Sequence, residues 1–201
     1  ALTRDEAAER KAAAFLLGDN LERTTQGGGI YTYTSQQGAA AFRDTGSFDA
    51  AGSLSQENAE AFCRDFCKAF SYDTPIFTLD ETGSGTATAV RLWSGTPVFN
   101  AAVTFTIDQG RVLSASGALL PETGAETSSG QKPLSAFAAL TAFQQMRHAS
   151  SSVVSSITEV SLCYELQSTT AAPMALVPSW RIVTDTATFY VNCISGTVRR
   201  A

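Results

Sequence analysis

The residues of this chain best suited to chemistry are four cysteines, one histidine and a few acidic pairs. Cys63 and Cys67 stand four apart, which on a helix puts both thiols on one face. Two thiols so placed can hold a metal or meet each other, although a disulfide inside a helix strains its geometry. Phe62, Phe66 and Phe70 recur at the same spacing, so the pair reads as small apolar packing residues. Cys163 and Cys193 fall in segments that read as strands, and they bridge only if those strands are neighbours. No C-x-x-C pair occurs, so the usual structural zinc spacing is missing. The expectation is a protein with no metal, no cofactor and no catalytic residues.

His148 would have to serve any Ser–His–Asp triad. It follows Arg147 at the end of a helical segment, before Ser150-Ser151-Ser152, where a cationic side chain suits the helix dipole. No G-x-S-x-G elbow accompanies it. The pairs Asp5-Glu6 and Asp80-Glu81 are adjacent rather than facing, as solvated surface carboxylates are. Gly27-Gly28-Gly29 lacks the Lys-Ser/Thr and the helix that a phosphate cradle needs, so it reads as a turn between strands. Leu120-Pro121-Glu122-Thr123-Gly124 matches an L-P-x-T-G sorting signal, but 77 further residues follow it without an apolar span. A Pro/Gly-bearing linker is the simpler reading.

Trp93 and Trp180 remain, flanked by Arg91 and Arg181. A tryptophan left at the surface anchors a partner. Within apolar strands, core packing is the expectation, with the arginines stacking or pairing with acidic groups. Arg91, Trp93, Trp180 and Arg181 are the candidate partner-binding set. Asn100 and Asn192 read as structural, satisfying backbone groups at turns or bulges.

The elements that must position these residues are well signalled. The chain has 201 residues, 44% hydrophobic and 16% charged, which suffices for a core and is too little charge for disorder. A net charge of −5 argues against nucleic-acid binding. No apolar run approaches the roughly 18–20 residues that cross a bilayer. Thr3 and Glu6 have capping-box spacing for a first helix with Ala8, Ala12, Phe15 and Leu16 on one face, ended by Gly18. Ser55 and Glu57 suggest the start of a second helix, and Pro133 that of a third with Phe137, Leu140 and Phe143 as its apolar face. Strands are predicted over 20–25, 30–35, 39–48, 76–81, 86–93, 98–107, 111–119, 157–166, 178–185, 187–194 and 197–200, with a loop at 169–173.

A hairpin pattern recurs three times along this path. Its copies are 31–42, 105–113 and 189–198, with turn glycines at 38, 110 and 196, and a helical segment precedes each. The predicted architecture is α+β: repeated helix-plus-antiparallel-hairpin units, each helix on one face of an antiparallel sheet, cystatin-like in appearance. The expected units are 1–52, 53–121 and 133–201, with a linker over 122–132.

The ending Val177-Pro178-Ser179-Trp180-Arg181-Ile182, then Phe189-Tyr190-Val191-Asn192-Cys193-Ile194-Ser195-Gly196, resembles the YycH/YycI group of bacterial regulatory proteins. In that group a P-x-W-R-I … Y-V-N-A-x-x-G ending recurs, and Cys193 stands in place of its alanine. Gly95-Thr96-Pro97-Val98-Phe99-Asn100 is similar to an earlier segment of the group. Tyr190 to Val198 also resembles the close of PepSY-type modules. The resemblance covers about residues 55–201. It implies a non-enzymatic extracytoplasmic regulator of a Gram-positive bacterium, held by a membrane helix preceding Ala1. Its partner would be the extracellular or membrane region of a two-component sensor kinase. An inhibitor or chaperone of a secreted peptidase is the alternative, and a wall-polymer or peptide hydrolase the third reading.

Overall fold

The computed structural model describes residues 1–55, 58–121, 132–150, 154–168 and 173–201. Its elements run α1 (Glu6–Leu17), β1 (Glu22–Thr25), β2 (Tyr31–Ser35), β3 (Gly38–Phe42), β4 (Ser47–Gly52), α2 (Ala59–Ala69), β5 (Ile76–Leu79), β6 (Gly85–Trp93), β7 (Thr96–Asp108), β8 (Arg111–Ala118), α3 (Ala136–Ser150), β9 (Ile157–Gln167), β10 (Ala175–Thr184), β11 (Thr188–Asn192) and β12 (Val198–Arg200). A helix followed by a four-strand antiparallel meander therefore occurs three times. This is the α+β helix-on-sheet architecture expected from the sequence.

Local chemistry sets the helix ends, and it moves three of the expected caps. Asp5, not Thr3, caps α1: its Oδ1 accepts from the N–H groups of Ala7 and Ala8 at 3.0 Å. Glu6 is thereby free to bond Arg23 and Tyr31. Asn58 caps α2 through Ala61 N–H rather than Ser55, and Glu57 lies outside the described residues. Ser135 Oγ accepts from Ala138 N–H at the start of α3, two residues beyond Pro133. Gly18 ends α1 as expected, with φ of 81° and its N–H on Ala14.

The predicted strand over 39–48 is two strands. Arg43 N–H bonds Ser47 C=O across a tight turn in which Gly46 has φ of 81°. The last hairpins of the three units are thus β3–β4, β7–β8 and β11–β12, closed by Gly46, Gly110 and Gly196. The hairpin pattern at 31–42 instead falls on β2–β3, one hairpin too early in the first unit. At Gln109-Gly110 both φ values are positive, the turn that suits strand twist.

β4 and β8, the last strands of the first two meanders, pair antiparallel from Ser47↔Ala118 to Ala51↔Ser114. The sheet so formed runs β1-β2-β3-β4-β8-β7-β6-β5, with the two meanders related by an approximate twofold between β4 and β8. α1 and α2 share one core on it. Phe15 touches Phe62, Phe66 and Phe70, and Phe66 also meets Phe48, Tyr72 and Phe105. α3 has its own core of Ala139, Phe143, Ile182, Phe189 and Val191.

β7 carries the third meander. It pairs β8 from Val103 onward, and its earlier half meets β9 in parallel at Val98↔Tyr164. Between these regions its register with β6 jumps from Ala102↔Val90 to Val98↔Arg91, leaving Phe99, Asn100 and Ala101 as a bulge. The bulge grips the third unit. Phe99 stacks on Tyr190 with centroids 3.5 Å apart, and Arg199 lies over the same ring. The Asn100 amide donates to Leu166 C=O and accepts from Leu166 N–H, both at 2.7 Å. Asn192 likewise accepts from Ile194 and Ser195 N–H groups, so both asparagines have the structural roles expected.

Two stability measurements follow from this arrangement. Asn100→Ala removes a paired amide that stands in for strand backbone, and urea unfolding should register a loss of about 1–2 kcal/mol. Phe66→Ala empties the centre of the shared core and should cost about 3–5 kcal/mol, lowering the melting temperature far more.

Candidate functional site

The four residues singled out by sequence do not converge. Arg91 is 1% exposed and works as a bracket for carbonyls. Its Nη1 donates to Ser71 C=O at 2.6 Å and Leu92 C=O at 2.9 Å, and its Nη2 to Leu120 C=O at 3.0 Å. Its guanidinium sits 5.5 Å from the Tyr72 ring centre. Trp93, half-buried, packs on the small cluster of Leu2, Val98, Ala101, Leu120 and Met174. Trp180 is half-buried under α3, and its Nε1 donates to Leu134 C=O at 2.9 Å. Arg181, next on the same strand, points to the opposite face and pairs with Glu159 at 2.8 Å. The Ser161 hydroxyl and then Arg181 hold Glu159 below the usual carboxylate range.

The other reactive types are absorbed by structure. Asp80 Oδ1 accepts from Thr82 N–H, Thr82 Oγ1 and Ser84 N–H, which fixes the β5–β6 turn and lowers its pKa. Asp5 caps α1, and Glu6 takes bonds from Tyr31 and Arg23. Gly27, Gly28 and Gly29 all have positive φ in the β1–β2 turn. His148 is exposed in the last turn of α3. Leu120 and Pro121 are buried, which withholds the start of the L-P-x-T-G match from any enzyme; Glu122 to Gly124 lie outside the described residues, as do 169–172 and 151–152. Among the described residues no three His, Cys, Asp or Glu side chains gather as a metal site.

The thiols are buried and free. β10 runs between β9 and β11, with Ser179 opposite Cys163 and Cys193 N–H on Pro178 C=O. Two strand spacings, roughly 10 Å, separate such positions, beyond the ~7 Å span of a disulfide. The condition for a Cys163–Cys193 bridge is therefore not met. Cys63 and Cys67 pack in the shared core as read from sequence.

Sequence periodicity missed the most open apolar surface. Phe137, placed by spacing on the buried face of α3, is 81% exposed; Ala139 and Phe143 are the buried positions. Beside it lies a groove of about 440 Å³ between α3 and the β11–β12 turn, lined by Leu134, Phe137, Ala138, Ala142, Ile194 and Gly196 among others. Ile194 is 41% exposed. The lining carries no charge, and Trp180 holds it from behind through Leu134. Nothing in the spacing of Phe137, Leu140 and Phe143 marks Phe137 as the exposed one.

No family model matches the chain, and no curated protein does. Among solved structures it is similar to an uncharacterized protein from Eubacterium rectale, with a TM-score of 0.50 and 12% identity over 98% of this chain and 77% of that one. This likeness concerns the fold alone. The C-terminal domain of YpeB from Bacillus megaterium aligns over 100% of this chain and 99% of its own, at 13% identity and a TM-score of 0.44. Among the described residues no helix is long and apolar enough to cross a membrane.

Burial raises the thiols of Cys63, Cys67 and Cys163 from 9.0 to about 12. The folded state thus holds these protons more tightly than the unfolded chain. Their contribution to stability is complete below pH 9 and is lost as pH rises from 9 towards 12. Urea unfolding should show stability falling with pH above 9, and a thiolate-reactive dye should label the thiols only once the protein is unfolded.

Proposed function

We propose that this chain is a non-enzymatic, extracytoplasmic protein-interaction module that binds its partner through the third helix–meander unit. The observation that carries this reading is the uncharged groove beside Phe137 and Ile194, with a large aromatic left in solvent. An exposed phenylalanine costs solubility unless a partner covers it, and aromatic anchors dominate binding surfaces. Trp180 supports the groove, and the resembled P-x-W-R-I … Y-V-N segment frames it. By that resemblance the partner is the extracellular or membrane-proximal region of a two-component sensor kinase, and the occupant of the groove an apolar segment of it.

The chemistry supports binding rather than turnover. Asp5, Glu6, Asp80 and the buried Arg91 hold caps, turns and carbonyls, which commits them to the fold. The alternative reading, an inhibitor or chaperone of a secreted peptidase, uses the same groove and follows from the PepSY-like closing hairpin.

Photo-crosslinking from position 137 in native membranes tests the proposal. Capture of a sensor kinase is expected. Capture of a secreted peptidase instead selects the alternative, and capture of neither overturns both. Phe137→Asp should weaken binding to the captured partner about 30-fold, equivalent to about 2 kcal/mol at a hot spot, with an unchanged melting temperature.

A further inference from the structure

The eight-stranded sheet of the first two units has two outer edges, β1 and β5, and the third unit adds β12 and, away from its single pair with β7, β9, which carries Glu159. Edges invite pairing, and proteins guard them with charge. β1 carries Glu22 and Arg23, the latter held by Glu6. β12 carries Arg199 and Arg200, the former held by Glu165. β5 is Ile76-Phe77-Thr78-Leu79, without a charge, and among the described residues it pairs only with β6. Ile76 is 75% exposed and Leu79 37%.

The direction of the open hydrogen-bonding groups follows from the hairpin. Asp80 N–H donates to Ser84 C=O, and bonded and non-bonded pairs alternate along an antiparallel ladder. Ile76 and Thr78 therefore spend their backbone groups on β6, while those of Phe77 and Leu79 face outward. In a monomer that row is left to water, and a further strand can replace it.

We propose that the β5 edge is a homodimer interface in which two copies pair antiparallel about a twofold axis at Thr78. In this register Phe77 of one copy exchanges both hydrogen bonds with Leu79 of the second copy, and the reverse, so every outward group is used. Their side chains then lie together on the α2 side, continuing the apolar surface that Phe77 borders. Thr78 faces Thr78 across the axis. No like charges oppose in this register. The chain already joins its own first two units in the same way, antiparallel across an approximate twofold at β4–β8. A second copy is thus the occupant whose edge matches in pattern, hand and chemistry. The interface is of the small, reversible class. It is independent of the partner-binding groove on the third unit.

Sedimentation equilibrium between about 1 μM and about 1 mM reads the outcome. The wild type should approach twice its monomer mass at the upper end. Thr78 is exposed, so Thr78→Lys and Thr78→Glu should fold normally and each remain monomeric, because like charges meet on the axis. Mixing the two variants should restore a dimer. Hydrogen exchange of the wild type supplies a measurement free of mutations: protection at Phe77 and Leu79 should rise with protein concentration. A wild type that stays monomeric at about 1 mM, or a dimer that survives Thr78→Lys, overturns the proposal. Protection elsewhere with none at β5 does so too.

Discussion

The register jump in β7 is the constraint on which the rest of the structure depends. Three residues, Phe99 to Ala101, have no counterpart on β6. Without them β7 would be an ordinary meander strand serving one sheet. With them its later half completes the second unit through β8, and its earlier half turns to meet β9. The strand-to-strand contact at that join is a single parallel pair, so side chains carry it. Asn100 imitates a strand backbone towards Leu166, and Phe99 enters a stack with Tyr190 and Arg199. Arg199 in turn pairs with Glu165 on β9 at 2.7 Å.

The same junction explains the most buried cation. At this junction the carbonyls of Leu92 and Leu120 need donors, and that of Ser71, already bonded by Leu92 N–H, has a second lone pair to offer. Arg91 supplies them, and Tyr72 caps Ala118 C=O at 2.7 Å. The N-terminal residues close the other side. Leu2 is buried in the junction cluster with its N–H on Met174 C=O, and Arg4 pairs with the buried Glu9 at 2.7 Å. Burial raises the pKa of Glu9 more than Arg4 lowers it. Polar groups in this protein mostly finish the backbone, which is why so few are left to act on a substrate.

Much of this was legible in the chain, for physical reasons that can be named. Helical spacing at 59–70 and alternation at 105–113 report local periodicity, and they placed α2, β7 and β8 within a few residues. Local signals failed where two answers were chemically similar. Thr3 and Asp5 are both good caps, and the backbone path chose Asp5. Residues 39–48 carry a turn signal of their own in Asp44-Thr45-Gly46, and reading them as one strand misaligned the first repeat. Phe137 fits a helical stripe as well as Ala139 does, and only the position of the β11–β12 turn decides which is covered.

The sequence by itself determined the repeated helix and meander, because periodicity and turn residues act within a few positions of one another. It also placed the cysteines of α2 in a core, since they share a face with three phenylalanines. Only the tertiary structure decided which strands meet across units: β4 with β8, and β7 with β9. Those pairings join residues more than sixty apart, and no local pattern encodes which edge finds which. They sank Arg91 at a junction and left the β5 edge facing solvent.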